Sequence, residues 1–536
     1  MLNFIRKLPY LQEKSLSYSV RNKDIGVRIE EIPHGPSENS EFLFHKENNI
    51  LKIYDKLCDH AGGELNVKNN VATCPLHGWK LDLQTGEYTN AQCTKKPLEI
   101  VDTNIKKRVN VQKKGLTLNK EHFKQNKCTK VQFINHACLL FSLGNVQFAT
   151  DPWVIGSAFC NGWWLSKKSP DDVFAKLNRC DFIYISHNHP DHLHEKTLEH
   201  IRKDMPIITA KFLSESCSKL LRRQGFTNIL EMDFNTKLVD NKSEIALTVL
   251  KSGDFRDDSG LLVEHGTFSC LLTVDSNYLN FGKLPEVDLL CSSFAGGASG
   301  FPLCFDNYSE IEKSSIILRN KGAIKAMNVT NINITKPKYF LPYAGFFTEK
   351  LARDRYIKEN NSKNTIENYE QICHTRGCQL LNINSNNLYE FQGPMLAAKK
   401  MIRYTPIDDN ETAPYMVDFT HIDSDQAATL IIDYFSKCQF TDDLILELIT
   451  TNDTFTRIFE DVCIDFRSDP PTISKSITTR DCRNLQIKVR RNELLDVITN
   501  HKPWEDLSIG FQCRIQRSPN VYNSKFWFHF TNIYVK

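Results

Sequence analysis

Two short strings of this sequence gather residue types that bind metals. The first is Cys58-Asp59-His60, followed after thirteen residues by Cys74-Pro75-Leu76-His77. Each half joins one thiolate to one imidazole, and Gly62, Gly63 and Gly78 supply turns where backbone can pass close to a bound group. Two thiolates suit one iron of a two-iron, two-sulfide cluster, and two imidazoles suit the other. Zinc takes the same donors, but zinc fingers usually set the two Cys together and the two His together. Four unrelated residues are the remaining alternative. The second string is His187-Asn188-His189-Pro190-Asp191-His192, at the end of the strand-like run DFIYIS. Three imidazoles and a carboxylate packed this closely point to a metal centre rather than to a chance surface cluster.

The first pattern is that of a Rieske [2Fe–2S] centre. Its loops hold no spare cysteine for a disulfide. The positions where respiratory Rieske proteins place hydroxyl donors hold Trp79 and Leu81. Fewer hydrogen bonds to the sulfurs should lower the reduction potential, which suits a donor to an oxygen-activating site. The second string has the form used by metallo-β-lactamase folds, where later strand ends complete the site. Asp275 closes the strand-like SCLLTVD, where a bridging Asp is expected. Asp254 follows ALTVLKSG, where a third His is expected, although an exposed acid in DFRDD is an equal reading. Asp151, in FATDPW, either shapes the site or makes a turn. The expected catalytic set is His187, His189, Asp191, His192 and Asp275. Two imidazoles and one carboxylate (His187 and His189 with Asp254 or Asp275) would make a mononuclear iron site of the non-heme oxygenase kind. A dizinc hydrolase would prefer more imidazoles.

Such ligands need scaffolds. At roughly 150 residues per domain, a chain of 536 residues should hold two to four domains. Residues 1–120 read as short strands between Gly, Asn and Asp turns, an all-β Rieske unit. A Lys- and Asn-rich stretch at 106–130 reads as a linker. Residues 128–350 mix strands with helices and are expected to form an αββα metallo-β-lactamase-like catalytic domain. Residues 351–536 are a mixed α/β extension expected to pack on it. The fold class is therefore multidomain α+β. Lys+Arg of 67 against Asp+Glu of 64 leaves a net charge of +3, which makes no case for nucleic acid or an acidic membrane. The 17 cysteines, an odd number, read as reduced thiols. No apolar run approaches the ~18 residues of a membrane span. The first residues lack a secretory apolar stretch, so the expected compartment is the cytoplasm.

The pairing of the two strings resembles the CMP-N-acetylneuraminate hydroxylase family, and the likeness runs beyond the ligands. It includes CDHAGG (58–63), HGWKLD (77–82), HACLL (136–140), DPWVIGSAF (151–159), NGWWL (161–165) and FIYISH (182–187). It continues in SSFAGGASGFP (292–302), PYAGFF (342–347), WEDLSIGFQCRIQR (504–517) and KFWFHF (525–530). The resemblance implies a monooxygenase that hydroxylates the N-acetyl methyl of CMP-N-acetylneuraminate to the N-glycolyl form. It implies electrons from NADH through cytochrome b5 reductase and cytochrome b5 to the Rieske cluster, and thence to iron. No G-x-G-x-x-G follows a strand, which agrees with an external reductase, and GGASG at 296–300 reads as a turn lining a pocket. The family pattern implies His at the positions of Asp254 and near Leu351, and neither is His here. That weakens a two-metal site, leaves a single iron chemically sound, and leaves open a divergent substrate or a weakened enzyme.

A CMP-sugar acid carries a phosphate and a carboxylate, which arginine forks suit. Arg514 and Arg517 are the candidates, with His136 orienting a ligand or the substrate. Trp163, Trp164 and Trp504 are candidates to stack on cytosine, with core packing expected for at least two of them. Competing classes are a metal-dependent hydrolase of a phosphodiester or lactone, a non-catalytic redox sensor, and an oxygenase of another small molecule.

Overall fold

The computed structural model describes residues 11–532, apart from 16–17, 40, 60–62, 76–77, 92, 102–107, 255, 404–411, 413–425 and 476–481. Two eight-stranded sheets face each other at its centre. One runs in the order Ile229–Met232, Ile207–Ala210, Phe182–Ile185, Val146–Thr150, Cys138–Leu143, Cys128–Asn135, Leu388–Gln392, Met395–Lys400. Its parallel strands FIYI and IITA are buried at every position, because the facing sheet covers one side and helices Val173–Arg179 and Ser216–Arg223 the other. The second sheet is built on strands Ile245–Lys251, Ser259–His265, Phe268–Leu272, Leu289–Ser293 and Tyr339–Tyr343. Side chains of both sheets form one continuous apolar core. This is the expected αββα sandwich.

Two segments cross the boundaries expected at 120 and 350. Strand Leu11–Ser15 pairs antiparallel with Thr236–Asp240, on the edge of the second sheet. Strand Leu388–Gln392 pairs with Cys128–Asn135 in the first. Strand edges need partners: Leu11–Ser15 caps the free edge of the second sheet, and Leu388–Gln392, already paired with Met395–Lys400, brings that hairpin onto the edge at Cys128–Asn135. The stretch read as a linker is also fixed in part. The backbone N–H of Glu121 donates to Glu264 Oε1 at 2.7 Å, and Lys120 Nζ donates to Ser269 Oγ at 3.1 Å.

The N-terminal β unit consists of a sheet of Gly35–Glu38, Phe42–Glu47, Ile50–Asp55 and Leu98–Val101, with a smaller one of Asn66–Lys68, Val71–Thr73 and Lys80–Asp82. Its entering and leaving strands, Tyr18–Arg28 and Arg108–Leu118, pair antiparallel along their full length. The unit rests on a helix the sequence reading did not anticipate, Glu310–Thr335. Its start was legible: Ser309 and Glu312 form a reciprocal cap. Its body, rich in Asn and β-branched residues, has poor intrinsic helix propensity and is held by packing. Ala323 of this helix is buried in the same cluster as Leu81 and Cys74.

The C-terminal extension folds around a five-stranded sheet containing Leu444–Thr451, Arg483–Arg490 and Cys513–Ser518, flanked by helices Ala427–Ser436, Arg491–Thr499 and Ser524–Asn532. It docks on the sandwich through backbone contact. A Cβ on Gly162 would stand 2.2 Å from Gly510 O, and one on Gly510 would stand 2.0 Å from Phe159 O. Trp163 Nε1 donates to Ile509 O at 3.2 Å, and Gln512 Nε2 to Cys160 O at 3.1 Å. Gly162→Ala must push the two backbones apart. It should destabilise the protein by about 1–3 kcal/mol, seen as an earlier unfolding midpoint in denaturant.

Candidate metal centre

The strand Phe182–Ile185 delivers the H-x-H-x-D-H string to one end of the sandwich. Asp151 fixes its start, its Oδ1 accepting from the Ser186 N–H at 2.7 Å. A turn then folds the string back, with the N–H groups of His192 and Leu193 both donating to His189 O. Three nearby loops adopt left-handed backbone at non-glycine residues: His136 (φ 41°), Asp151 (φ 39°) and Val274 (φ 53°), the last beside Asp275. Such conformations are costly, most of all for a β-branched residue, and they persist where the surroundings hold them for a purpose.

The ligand atoms converge. His136 Nε2 lies 3.0 Å from Asp191 Oδ2. His192 Nε2 lies 3.3 Å from Asp191 Oδ2 and 3.5 Å from Asp275 Oδ2. Two overlapping sets each hold donors mutually within 4.8 Å: His136, Asp191 and His192, and His187, His192 and Asp275. Each is two imidazoles and one carboxylate, and His192 belongs to both. His187 Nε2 and His189 Nδ1 face one another at 2.9 Å. The residues fit a metal ion. Asp191 Oδ1, His192 Nε2 and His136 Nδ1 are buried with no hydrogen-bond partner, an arrangement that is costly unless a cation completes it.

The imidazoles are oriented from outside. His192 Nδ1 is 3.2 Å from Asp151 Oδ2. His187 Nδ1 is 2.9 Å from Ser186 Oγ and 3.5 Å from Asp258 Oδ1. His189 Nε2 is 3.2 Å from Glu505 Oε2, on the C-terminal extension. Burial and the neighbouring imidazoles push His187 well below the usual histidine range. His192 stays well above it despite burial, because Asp191 and Asp151 favour its charged form. Burial pushes the Asp258 carboxyl up to about 7.

Of the residues singled out in the sequence, His187, His192, Asp191 and Asp275 come together, while His189, expected beside His187 in a triad with Asp254 or Asp275, stands next to the two donor sets and in neither of them. His136 joins them as a donor rather than standing apart as an orienting group. Asp254 does not join. Its carboxylate accepts from Arg256 Nε at 2.9 Å, Asn277 Nδ2 at 2.8 Å and Ser252 Oγ at 3.0 Å, so the local arginine claims it. Asp258, Glu505 and Ser186 were missed. Asp258 sits in the same acidic run as Asp254, but nothing local marked it, and Glu505 is more than 300 residues from its partner (|i−j|=316).

A cavity of about 400 Å³ opens beside the ligands, a size suited to a substantial small molecule. All three units line it: Trp79 and Asn90 from the N-terminal unit, His189, Asp191 and Asp275 from the sandwich, and Arg517 from the extension. Gly296 and Gly297, at φ 69° and 70°, turn along its wall as the sequence suggested. Strand alternation puts Arg514 on the opposite face from Arg517. Arg514 lies over the Phe455 ring and is not part of the cavity wall, a correction to its expected role. Trp163 lines the cavity while stacked on Phe347, with ring centroids 3.6 Å apart. Trp164 and Trp504 are buried in packing.

At the first string, Cys58 and Cys74 are buried on adjacent loops of the N-terminal unit, while His60 and His77 lie outside the described residues. Asn90 clamps the second loop, donating to Gly78 O at 2.9 Å and accepting from the Lys80 N–H. The sequence suggested a hydroxyl-poor environment, but Tyr88 supplies one. Its OH lies 3.8 Å from Cys58 Sγ and 3.3 Å from Asp59 Oδ2. Burial pushes the phenol far up, so it stays a donor.

A family model described as a Rieske [2Fe-2S] domain matches residues 25–111, and one described as a beta-lactamase superfamily domain matches residues 130–256. The chain is 30% identical over 558 residues to the cytidine monophosphate-N-acetylneuraminic acid hydroxylase of Xenopus laevis, covering 91% of this chain and 88% of that protein. It is 28% identical over 572 residues to the protein of the same name from Danio rerio, covering 95% and 92%. Among solved structures, CmlA, a diiron beta-hydroxylase from Streptomyces venezuelae, aligns with a TM-score of 0.34 at 18% identity, covering 52% of this chain and 55% of that one. Because hydrogen bonds to the sulfur ligands raise a cluster's potential, Tyr88→Phe should lower the midpoint while the cluster is retained. An EPR-monitored redox titration reads this directly, and an unchanged midpoint would remove Tyr88 from that role.

Proposed function

We propose a substrate and an electron route for this chain, which belongs to the cytidine monophosphate-N-acetylneuraminic acid hydroxylase family. It is a Rieske-type iron-dependent monooxygenase. The proposal is that it hydroxylates the N-acetyl methyl of CMP-N-acetylneuraminate, with electrons passing from NADH by way of cytochrome b5 to the Rieske cluster. The observation that carries this reading is the shared cavity: Trp79, five residues after Cys74, and the His–Asp ligands line the same space.

In this reading Cys58, His60, Cys74 and His77 hold the cluster. His136, His187, His192, Asp191 and Asp275, with His189 beside them, hold iron at the sandwich. When bound, iron supplied with electrons activates dioxygen, the chemistry that an unactivated methyl C–H requires and that acid–base groups cannot provide. The chain's own residues do the rest. Asp151 holds the His192 ring with Nε2 facing inward. Phe159 and Trp163 wall the ligand end of the cavity with apolar surface, which limits water there.

Arg517 is the anion anchor. Its guanidinium is buried, its Nε has no hydrogen-bond partner, and none of the ion pairs among the described residues includes it. Asn520 Oδ1 accepts from Nη2 at 2.6 Å, and the Phe305 ring lies under the guanidinium at 4.9 Å. A largely buried cation in the cavity wall, with no carboxylate partner among the described residues, suits the phosphate or carboxylate of a CMP-sugar acid. The aromatic rings of Phe301 and Phe305, 5.2 Å apart beside it, offer the base an apolar wall.

The test is anaerobic purification, iron and sulfide quantitation, low-temperature EPR, and then assay of CMP-N-acetylneuraminate with NADH, cytochrome b5 and its reductase. Oxygen added to the substrate methyl is the expected outcome. Zinc in place of iron with turnover independent of NADH would sink the reading. Because His192 belongs to both donor sets, His192→Ala should abolish iron beyond the cluster and all product while leaving the cluster signal intact. Arg517→Met removes a charge-assisted contact of about 1.5–3 kcal/mol. It should raise KM by about 10- to 100-fold with kcat largely kept.

A further inference from the structure

The C-terminal extension reaches the ligand cluster at Glu505. The His189 ring has two nitrogens with opposite neighbours. Nδ1 faces His187 Nε2 at 2.9 Å, toward the metal donors, and Nε2 faces Glu505 Oε2 at 3.2 Å, away from them. The same division holds at His192, where Nε2 faces Asp191 and Asp275 while Nδ1 faces Asp151. At His187 the outer nitrogen faces Ser186 Oγ. His187, His189 and His192 thus each have an inner nitrogen and an outer one held by an oxygen. Two of those oxygens come from the sandwich itself, and Glu505 is supplied from outside it.

The geometry points to Glu505 as a positioning residue of the metal centre: it accepts the Nε2–H of His189 and so fixes the tautomer whose Nδ1 lone pair, on the side of His187 Nε2, would be free for a metal ion. A carboxylate in this place also raises the basicity of the inner nitrogen. This inference rests on iron occupying the His–Asp cluster, as proposed above. Glu505 is aimed by a built interface. Trp504 is fully buried and its Nε1 donates to Tyr434 OH at 2.9 Å. Five residues after Glu505, Gly510 presses its backbone against Phe159 O and against Gly162. Phe159, in turn, packs its ring 5.7 Å from that of His189. The docking of the extension and the aim of His189 are therefore one structural event, and the sandwich is left without this acceptor when the extension is displaced.

The experiment uses full-length protein with its cluster assembled. Ferrous iron is titrated under argon against a chromogenic ferrous chelator, with the cluster's visible absorbance as an internal count. Glu505→Ala should weaken iron binding about 10- to 100-fold, the usual cost of losing an outer acceptor, with the cluster signal and unfolding temperature unchanged. Glu505→Gln keeps a carbonyl oxygen for the Nε2–H and should recover most of the affinity. In a His189→Ala background, Glu505→Ala should cost nothing further, which a general structural role would not produce. Wild-type affinity in Glu505→Ala overturns the inference. A loss in Glu505→Gln equal to that in Glu505→Ala also overturns it, making the carboxylate a direct ligand. Wild-type protein that takes up no iron beyond the cluster overturns the functional reading, and this inference falls with it. Equal affinities across the series overturn this inference alone.

Discussion

Charge compensation in a dry place is the constraint on which this molecule is built. Asp191, His192, His136 and Asp151 are all nearly sealed from solvent, and Asp191 Oδ1, His192 Nε2 and His136 Nδ1 have no hydrogen-bond partner. Removing a carboxylate from water costs several kcal/mol unless it is repaid by a nearby charge. The sandwich meets this cost with its own frame: continuous apolar strands on both sides, and left-handed turns at His136, Asp151 and Val274 that a looser scaffold would relax. The imidazoles balance one another's neighbours only in part. The convergence of two imidazoles and a carboxylate in each donor set is what makes the cluster a seat for a cation rather than an ordinary buried network.

The cavity next to that seat belongs to no single unit. The long helix Glu310–Thr335 carries the N-terminal unit on one side and contributes Asn320, Ile324 and Met327 to the cavity on the other. The extension closes the space with Arg517 and aims Glu505 at His189. The cavity wall and the aim of His189 are thus distributed over segments far apart in the chain. Each is secured by a different physical device: apolar packing at Ala323, glycine-to-backbone contact at Gly162 and Gly510, and a buried guanidinium at Arg517.

What could be read from the residues was the local chemistry. The strings at 58–77 and 187–192 could be singled out because spacing and residue type are local properties, and the strand-like run DFIYIS was legible for the same reason. What escaped was whatever depended on contact between distant segments. His136 looked like an orienting group because its distance to Asp191 is set by sheet pairing. Asp254 looked like a ligand because nothing in the sequence says that Arg256 folds back onto it. Tyr88 reaches Cys58 across a turn, and Glu505 reaches His189 across an interface. The helix over 310–335 was hidden because its composition argues against it, while its cap argued for it.

The paired strands Tyr18–Arg28 and Arg108–Leu118 bear on how the N-terminal unit can move. Because strand Leu11–Ser15 is stitched into the central sheet before that ribbon begins, the electron-carrying module is a loop-out held by two stems, and not a bead on a single leash. Twin stems zipped together resist swinging and shearing while allowing twist. Such a mount keeps its carrier over one face of its neighbour and makes it poorly suited to ferrying charge between distant stations.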